Sequence, residues 1–199
     1  MILTEVTTVP DSALPVEQFK AHLRLGTGFG EGDLQDIVLI GFLQAALAAV
    51  EARTGRILLQ RAFAMSLSGW KDPVRQVVPV LPVQALDAIV VTDAAGFQTQ
   101  LNGDEVILEK QTHRAFLMPL GASLPAIPKG GEIRIDLTAG MVPHWGELPG
   151  DLCQAVLMLA AHYYEYRHEM TLGDGCMPFG VTSLIQRYRV TRISLGGAR

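Results

Sequence analysis

Residues 148–170 read LPGDLCQAVLMLAAHYYEYRHEM, and this stretch carries the longest helical pattern in the chain. Its large apolar side chains recur at intervals of three and four positions, so they share one face of a helix. They are Leu152, Val156, Leu159, Tyr163 and Tyr166. Pro149 suits the first turn, and Asp151 places a negative charge at the positive end of the helix dipole. The pattern therefore predicts a helix that organises the core.

A second apolar helix, predicted over residues 33–54, is the natural partner of the first. Asp33 suits its N-cap, and Gly55 follows at its C-terminus. Its residues are apolar on nearly all sides, which predicts burial on several sides, one of them against a neighbouring subunit. The longest apolar run, residues 37–50, has 14 residues and follows Asp36, so we do not expect it to span a membrane.

The N-terminal region, which precedes these helices, is predicted to contain an extended arm, a short helix and a connector. Residues 1–14 lack a helical period and are predicted to form an extended arm, and residues 14–23 are predicted to form a short helix. Residues 26–32 contain four glycines at alternate positions. We interpret them as a connector and not as a phosphate-binding loop, because no strand precedes them and no Lys-Ser/Thr pair follows.

Between residues 56 and 140 the hydrophobic period changes from helical to two. The pattern predicts about six short strands joined by tight turns, including an Asn-Gly turn at residues 102–104. Residues 132–137 alternate cleanly, so one face of that strand is expected to be buried and the other wet. The segment therefore predicts a small antiparallel sheet or half-barrel, inserted between the second and third helices.

The fold class that follows is α+β, a small bundle of three to four helices with an inserted antiparallel β-subdomain and extended terminal arms. The predicted domains are an N-terminal arm (1–14), a helical bundle (15–56 and 141–188), a β insert (57–140) and a C-terminal tail (189–199). A last helix is predicted over residues 181–190, and an extended segment over residues 191–199.

Composition limits the class of protein. Of 199 residues, 49% are hydrophobic and 18% are charged, which favours a folded chain over a disordered one. The two cysteines, Cys153 and Cys176, form neither a disulfide framework nor a zinc-ligand spacing, which favours a reducing compartment. No basic segment precedes an apolar run at the N-terminus, so no secretory signal is predicted.

The net charge of −4 conceals an asymmetry along the chain. From Gly175 onward there are four arginines and no acidic residue, whereas the preceding residues hold all 20 acidic side chains. A basic tail on an acidic body indicates an acidic partner, either protein or nucleic acid. The alternative is a solvated tail without a partner.

Catalytic and metal-binding patterns are weak. Glu165 and His168 match the Glu-x-x-His spacing of di-iron bundles, but the second motif that such sites need is missing. Cys153 and His162 lie nine residues apart on one helix, about 13–14 Å along its axis, which is too far for a nucleophile and its base. We therefore predict no catalytic residue, no metal, no cofactor and no enzymatic activity. The arms, the apolar helix and the basic tail favour a structural protein that assembles.

Five segments carry a more specific signal through their order and spacing. They are residues 14–23 (LPVEQFKAHL), 50–56 (VEARTGR), 137–141 (LTAGM), 148–167 (LPGDL leading into AAHYYEYR), and 178–181 (PFGV) with 188–190 (YRV). Together they resemble the head–tail connector (adaptor) proteins of long-tailed phages and of phage-derived gene transfer agents. The β segment is the least specific part of this resemblance.

The resemblance implies a ring of twelve copies beneath the portal vertex of a phage or phage-like particle, assembled in the bacterial cytoplasm. The ring would extend the DNA channel, let DNA pass without sequence-specific binding, and carry the stopper or tail-terminator protein, with no membrane involved. Family members commonly dock on the portal through the C-terminal segment. In this chain the implied portal-binding residues are Leu184, Arg187, Tyr188, Arg189, Val190, Arg192, Ile193 and Arg199.

Two other functions compete with the connector interpretation. One is another multimeric tail-completion protein or nucleic-acid-associated accessory protein, which a basic surface lined with aromatic side chains would favour. The other is an enzyme with an unrecognised site. The acidic body and the helical spacing of the aromatic residues argue against direct nucleic-acid binding.

Overall fold

A computed structural model describes residues 1–25, 32–101, 105–167 and 177–190. These residues form two units. The β unit contains Met1–Thr8, Leu59–Met141 and, among the described residues, Val190. The helical unit contains Val9–Leu58 and Val142–Arg189. Most of the glycine connector, the Asn-Gly turn, Cys176, the last residues of the predicted long helix and the tail beyond Val190 lie outside the described residues.

The helical unit is built around α3, which packs against α1, α2 and α4. The helices are α1 (Val16–His22), α2 (Gly32–Thr54), α3 (Gly150–Glu165) and α4 (Phe179–Ile185). Short 3-10 turns lie at Asp11–Ala13, Trp145–Glu147 and Gln186–Tyr188. Four helices and antiparallel sheets confirm the predicted α+β class. The last helix begins and ends earlier than predicted, because Pro178 starts it and the chain tightens into the 3-10 turn after Ile185.

The apolar face of α3 is shorter than the sequence pattern predicted. Leu152, Val156 and Leu159 are fully or almost fully buried, as expected, but Tyr163 is only half-buried. Tyr166 is 41% exposed, so its prediction as a core residue is wrong. The reason is that α3 ends at Glu165, and Tyr166 leaves helical geometry with a ψ of 19°.

Helix α2 has two different apolar faces. The face toward the unit's core holds Leu39, Leu43, Ala46, Leu47 and Val50. The opposite face is exposed and carries Ile37, Val38, Gly41, Ala45, Ala48 and Ala52. The predicted burial on several sides is therefore wrong for the chain by itself, because only one face of α2 finds partners within the helical unit.

The length of α2 also bears on the membrane prediction. Residues Gln35–Thr54 are long and apolar enough to cross a membrane by length and composition alone, so our argument from a short apolar run fails. A buried core helix passes the same test, and one face of α2 is buried within the helical unit. Length and composition therefore do not decide whether α2 is a membrane-spanning helix or a buried core helix.

The β unit contains two antiparallel sheets within its described residues. The strands are β1 (Ile2–Glu5), β2 (Arg61–Leu67), β3 (Gln76–Val78), β4 (Val83–Thr92), β5 (Gln98–Gln100), β6 (Val106–Lys110), β7 (Ala115–Pro119) and β8 (Glu132–Ala139). One sheet has the order β1-β2-β8-β4-β5, and the other has the order β3-β7-β6. In the first sheet Ile135 of β8 lies opposite Met65 of β2 on one side and Ile89 of β4 on the other.

Strand β8 shows the alternation predicted from its sequence. Ile133, Ile135, Leu137 and Ala139 are buried, and the residues between them point to the wetter face. Strand β1 lies in the region predicted as an extended arm. It is extended, and it pairs along its whole length with β2, where an ion pair joins Glu5 to Arg61 at 2.7 Å. The unpaired edge of β2 explains why these residues join the sheet.

Candidate functional site

The candidate site is the start of the C-terminal segment, where α4 and the 3-10 turn lie on α3. Among the implied portal-binding residues, Leu184, Arg187, Tyr188, Arg189 and Val190 are described. Arg192, Ile193 and Arg199 lie outside the described residues. The described part of the C-terminal segment is therefore residues 177–190.

Helix α4 is held on α3 by close packing. Val181 and Ile185 are fully buried, and Leu184 between them is half-buried. A Cβ added at Gly180 would lie 3.0 Å from Cε of Met158, the flexible end of a side chain of α3, so Gly180 lies close against that helix. Leu184 thus offers only part of its surface to a partner.

Asp151 in the first turn of α3 fixes the 3-10 turn after α4. Tyr188 donates its hydroxyl proton to Oδ1 of Asp151 at 2.7 Å, and Arg187 pairs with Oδ2 at 2.7 Å. Arg187 also donates to the Tyr188 hydroxyl at 2.5 Å, and Arg56 donates from Nε to the Tyr188 carbonyl at 2.8 Å. We call Asp151, Arg187, Tyr188 and Arg56 the Asp151 anchor. It ties the 3-10 turn after α4 to the first turn of α3 and to Arg56.

The electrostatics of the Asp151 anchor keep its protons in place at neutral pH. Burial, and then the hydrogen bond to Asp151, raise the pKa of Tyr188 above its ordinary value of 10.0. The hydrogen bond to Tyr188 raises the pKa of Arg187 above its ordinary value. Burial opposes this shift, and the charge of Asp151 adds to it. The carboxylate of Asp151 also lies at the favourable end of the α3 dipole. The anchor therefore combines an ion pair with hydrogen bonds between charged and neutral groups.

The sequence pattern predicts other roles for the side chains of the Asp151 anchor. Asp151 was interpreted only as a helix-dipole residue, and Arg56 had no predicted role. Residues 56 and 188 are separated by 132 positions, and residues 151 and 188 by 37, so no local pattern could have paired them. Arg187 and Tyr188, predicted to contact the portal, contact Asp151 in this chain. Arg189 is exposed, and Val190 is half-buried.

Tyr188→Phe tests the Asp151 anchor. We expect it to lower the free energy of unfolding by about 1 kcal/mol, because it removes a partly exposed hydrogen bond to a carboxylate. In the wild type this stabilisation is fully present below pH 10 and is lost as the pH rises further, because the folded state holds the phenolic proton more tightly.

Urea denaturation at pH 8 and pH 10.5 measures both effects. The matched control is Tyr164→Phe, since the Tyr164 ring packs edge-to-face on Phe42 and its hydroxyl takes no part in the anchor. Tyr163, whose pKa burial also raises, contributes equally to all three proteins. Equal stability of Tyr188→Phe and the wild type at pH 8 would contradict the anchor.

The β unit has a groove of about 890 Å³ between the start of the chain and β3. Arg75 places its guanidinium 3.6 Å from the centre of the Phe116 ring in this groove, and the buried Gln76 bonds to the backbone around it. The lining holds no cysteine or histidine. Over the described ranges of the chain, no group of three or more metal-ligating side chains comes together.

Solved structures of similar chains identify the class of assembly. A chain in the neck of an empty gene transfer agent (GTA) particle, computed with C6 symmetry, is 45% identical, with 98% of this chain and 99% of that chain covered and a TM-score of 0.88. A chain in the virion of a native GTA particle is 45% identical, with the same coverage and a TM-score of 0.84. A chain in the neck of a native GTA particle, computed with C12 symmetry, is 42% identical, again with that coverage, and has a TM-score of 0.83. No protein-family model and no curated protein matches the sequence.

Proposed function

We propose that this chain, which belongs to the protein family found in the necks of gene transfer agent particles, is a ring subunit in the neck of a phage-like particle. The observation that carries the proposal is the likeness to neck chains at 45% identity over 98% of the sequence. The role is structural and does not involve catalysis.

The finer proposal is a head–tail connector (adaptor) subunit. In it, twelve copies bind the portal, extend the DNA channel and receive the stopper or tail-terminator protein. Support comes from the Asp151 anchor, which holds Arg187 and is followed by a segment, residues 189–199, that carries three arginines and no acidic residue. The C12 and C6 symmetries used for two similar necks support a multimeric ring, and a ring of twelve copies is compatible with both. Assembly takes place in the bacterial cytoplasm, consistent with the absence of a disulfide framework.

Passage of DNA through the ring requires weak binding. Affinity for DNA comes largely from neutralising phosphates with lysine and arginine, whereas this chain has a net charge of −4. We therefore propose that the channel does not retain DNA. Retention of duplex DNA by the assembled ring at physiological salt would contradict this part of the proposal.

The test is co-sedimentation with the portal protein encoded in the same genome. We expect the full-length chain to bind saturably, at about one copy per portal subunit. A chain truncated after Tyr188 keeps the Asp151 anchor and should keep its melting temperature, but it should lose portal binding. Unchanged binding by the truncated chain would refute the tail assignment. No binding by the full-length chain would refute the connector role and favour a tail-side accessory protein.

A further inference from the structure

The exposed face of α2 is an apolar surface without a partner in the chain. Its residues Ile37, Val38, Gly41, Ala45, Ala48 and Ala52 fall within about 100° of the helix circumference, at 100° per residue. Ile37 is 65% exposed and Val38 is 50% exposed. A Cβ added at Gly41 would meet nothing within 4 Å, so the middle of this face is open. We call these six residues the α2 face.

Two polar residues of α2 are bonded within the helical unit. Asp36 pairs with Lys20 at 2.6 Å, and Gln44 donates to Asp11 at 2.9 Å. No charged side chain lies on the α2 face itself. An interfacial membrane helix, by contrast, carries lysine and arginine along its polar side. The α2 face therefore fits an apolar protein surface better than a lipid surface.

The helical unit also exposes a large aromatic side chain, that of Phe179. It begins α4 in the sequence Pro178-Phe179-Gly180-Val181, and three of these four residues have an evident role inside the chain. Pro178 starts the helix, Gly180 allows the close approach to Met158, and Val181 is fully buried. The Phe179 side chain is 88% exposed and contributes to none of this packing. A large aromatic side chain held outward at a fixed helix end is suited to anchor a protein interface.

A closed ring requires two different patches on each subunit, because every contact is head-to-tail. We propose that Phe179 of one copy packs on the α2 face of the next copy, over Gly41. The inference rests on the proposed function, since it assumes a ring of this chain, as the C12 symmetry of a similar neck supports. Both patches belong to the helical unit, so one copy supplies the aromatic anchor and the next supplies the surface that receives it.

The test uses a pair of charge substitutions, Phe179→Glu and Gly41→Lys, separately and together. Each single variant places a charge in the contact, and we expect it to raise the concentration for half-saturation of the portal at least about tenfold and to remove cooperativity. The double variant places opposite charges together and should regain cooperative binding in large part. Phe97→Glu is the matched control, because Phe97 is 74% exposed in the β unit and should leave binding unchanged.

The outcomes distinguish a contact between copies from contact of Phe179 with its own chain or with the portal. They also test this contact separately from the proposed function. Failure of the wild-type chain to bind the portal would refute the proposed function. Wild-type binding with cooperative, undiminished binding by both single variants would refute only the contact between copies. A lower melting temperature of isolated Phe179→Glu would show that the chain covers Phe179 itself. Loss of portal affinity in Phe179→Glu without rescue in the double variant would place Phe179 against the portal. Each of these last two results overturns the inference.

Discussion

Gly140→Ala is expected to lower the free energy of unfolding by about 3 kcal/mol or more, a large effect for the addition of one methyl group. Gly140 has a φ of +143°, which side-chain-bearing residues rarely adopt. An added Cβ would lie 2.4 Å from Cα and 2.5 Å from the backbone nitrogen of Gln60. These are backbone atoms, which cannot rotate away as the end of a flexible side chain would.

Hydrogen bonds prevent Gly140 from moving to relieve that clash. Its N–H donates to the Pro82 carbonyl at 2.9 Å, and its own carbonyl accepts a bond from Gln84 at 2.7 Å. Moving the residue would disturb the end of β8, where Ala139 pairs with both Arg61 and Val83. The predicted effect therefore combines backbone strain with the loss of strand register.

Urea denaturation of Gly140→Ala measures this cost. The matched control is Gly69→Ala in the same unit, where an added Cβ meets nothing within 4 Å and the φ is not positive. We expect the control to stay within about 0.5 kcal/mol of the wild type. A Gly140→Ala protein as stable as the control would show that the chain after β8 follows a different path.

Leu159→Asp is expected to remove more than about 4 kcal/mol of stability and to prevent the helical unit from folding at 37 °C. Leu159 is completely buried on α3. Substitution would leave an ionised carboxylate in an apolar core, or would force it to stay protonated at neutral pH. Loss of the far-ultraviolet circular dichroism of the helices, or recovery only as inclusion bodies, is the expected result.

Tyr166→Asp is the matched control for Leu159→Asp. The two positions are seven residues apart, and the sequence pattern places them on the same helix face. Because Tyr166 is 41% exposed and lies beyond the end of α3, its substitution should change stability by less than about 1 kcal/mol. Equal damage by the two variants would mean that α3 continues as a buried helix past Glu165.

Local periodicity accounts for the parts of the fold that the sequence could predict. The buried face of α3 and the alternation of β8 depend on neighbours in the same element, and both are present. The position of Tyr166 could not be predicted, because a helical pattern does not show where the packing partners end. Pairing of β1 with β2 depends on residues almost 60 positions apart, as the bond from Arg61 to Glu5 shows.

The candidate site illustrates the same physical limit. Arginine content predicted a functional C-terminal segment, but the bond from Tyr188 to Asp151 joins residues that only the fold brings together. Composition also does not distinguish the apolar residues of α2 from one another. It could not show that Leu43 faces the core while Ile37 faces solvent, and this difference turns α2 into a candidate contact between copies.

The most direct test of the central claim is a reconstruction, by electron cryomicroscopy, of the particle that incorporates this chain, with no symmetry imposed on its neck. The account predicts twelve copies of this chain in one ring between the portal and the first tail protein. Density for the chain in the capsid shell or the tail tube, or a neck ring built from another protein, would contradict it.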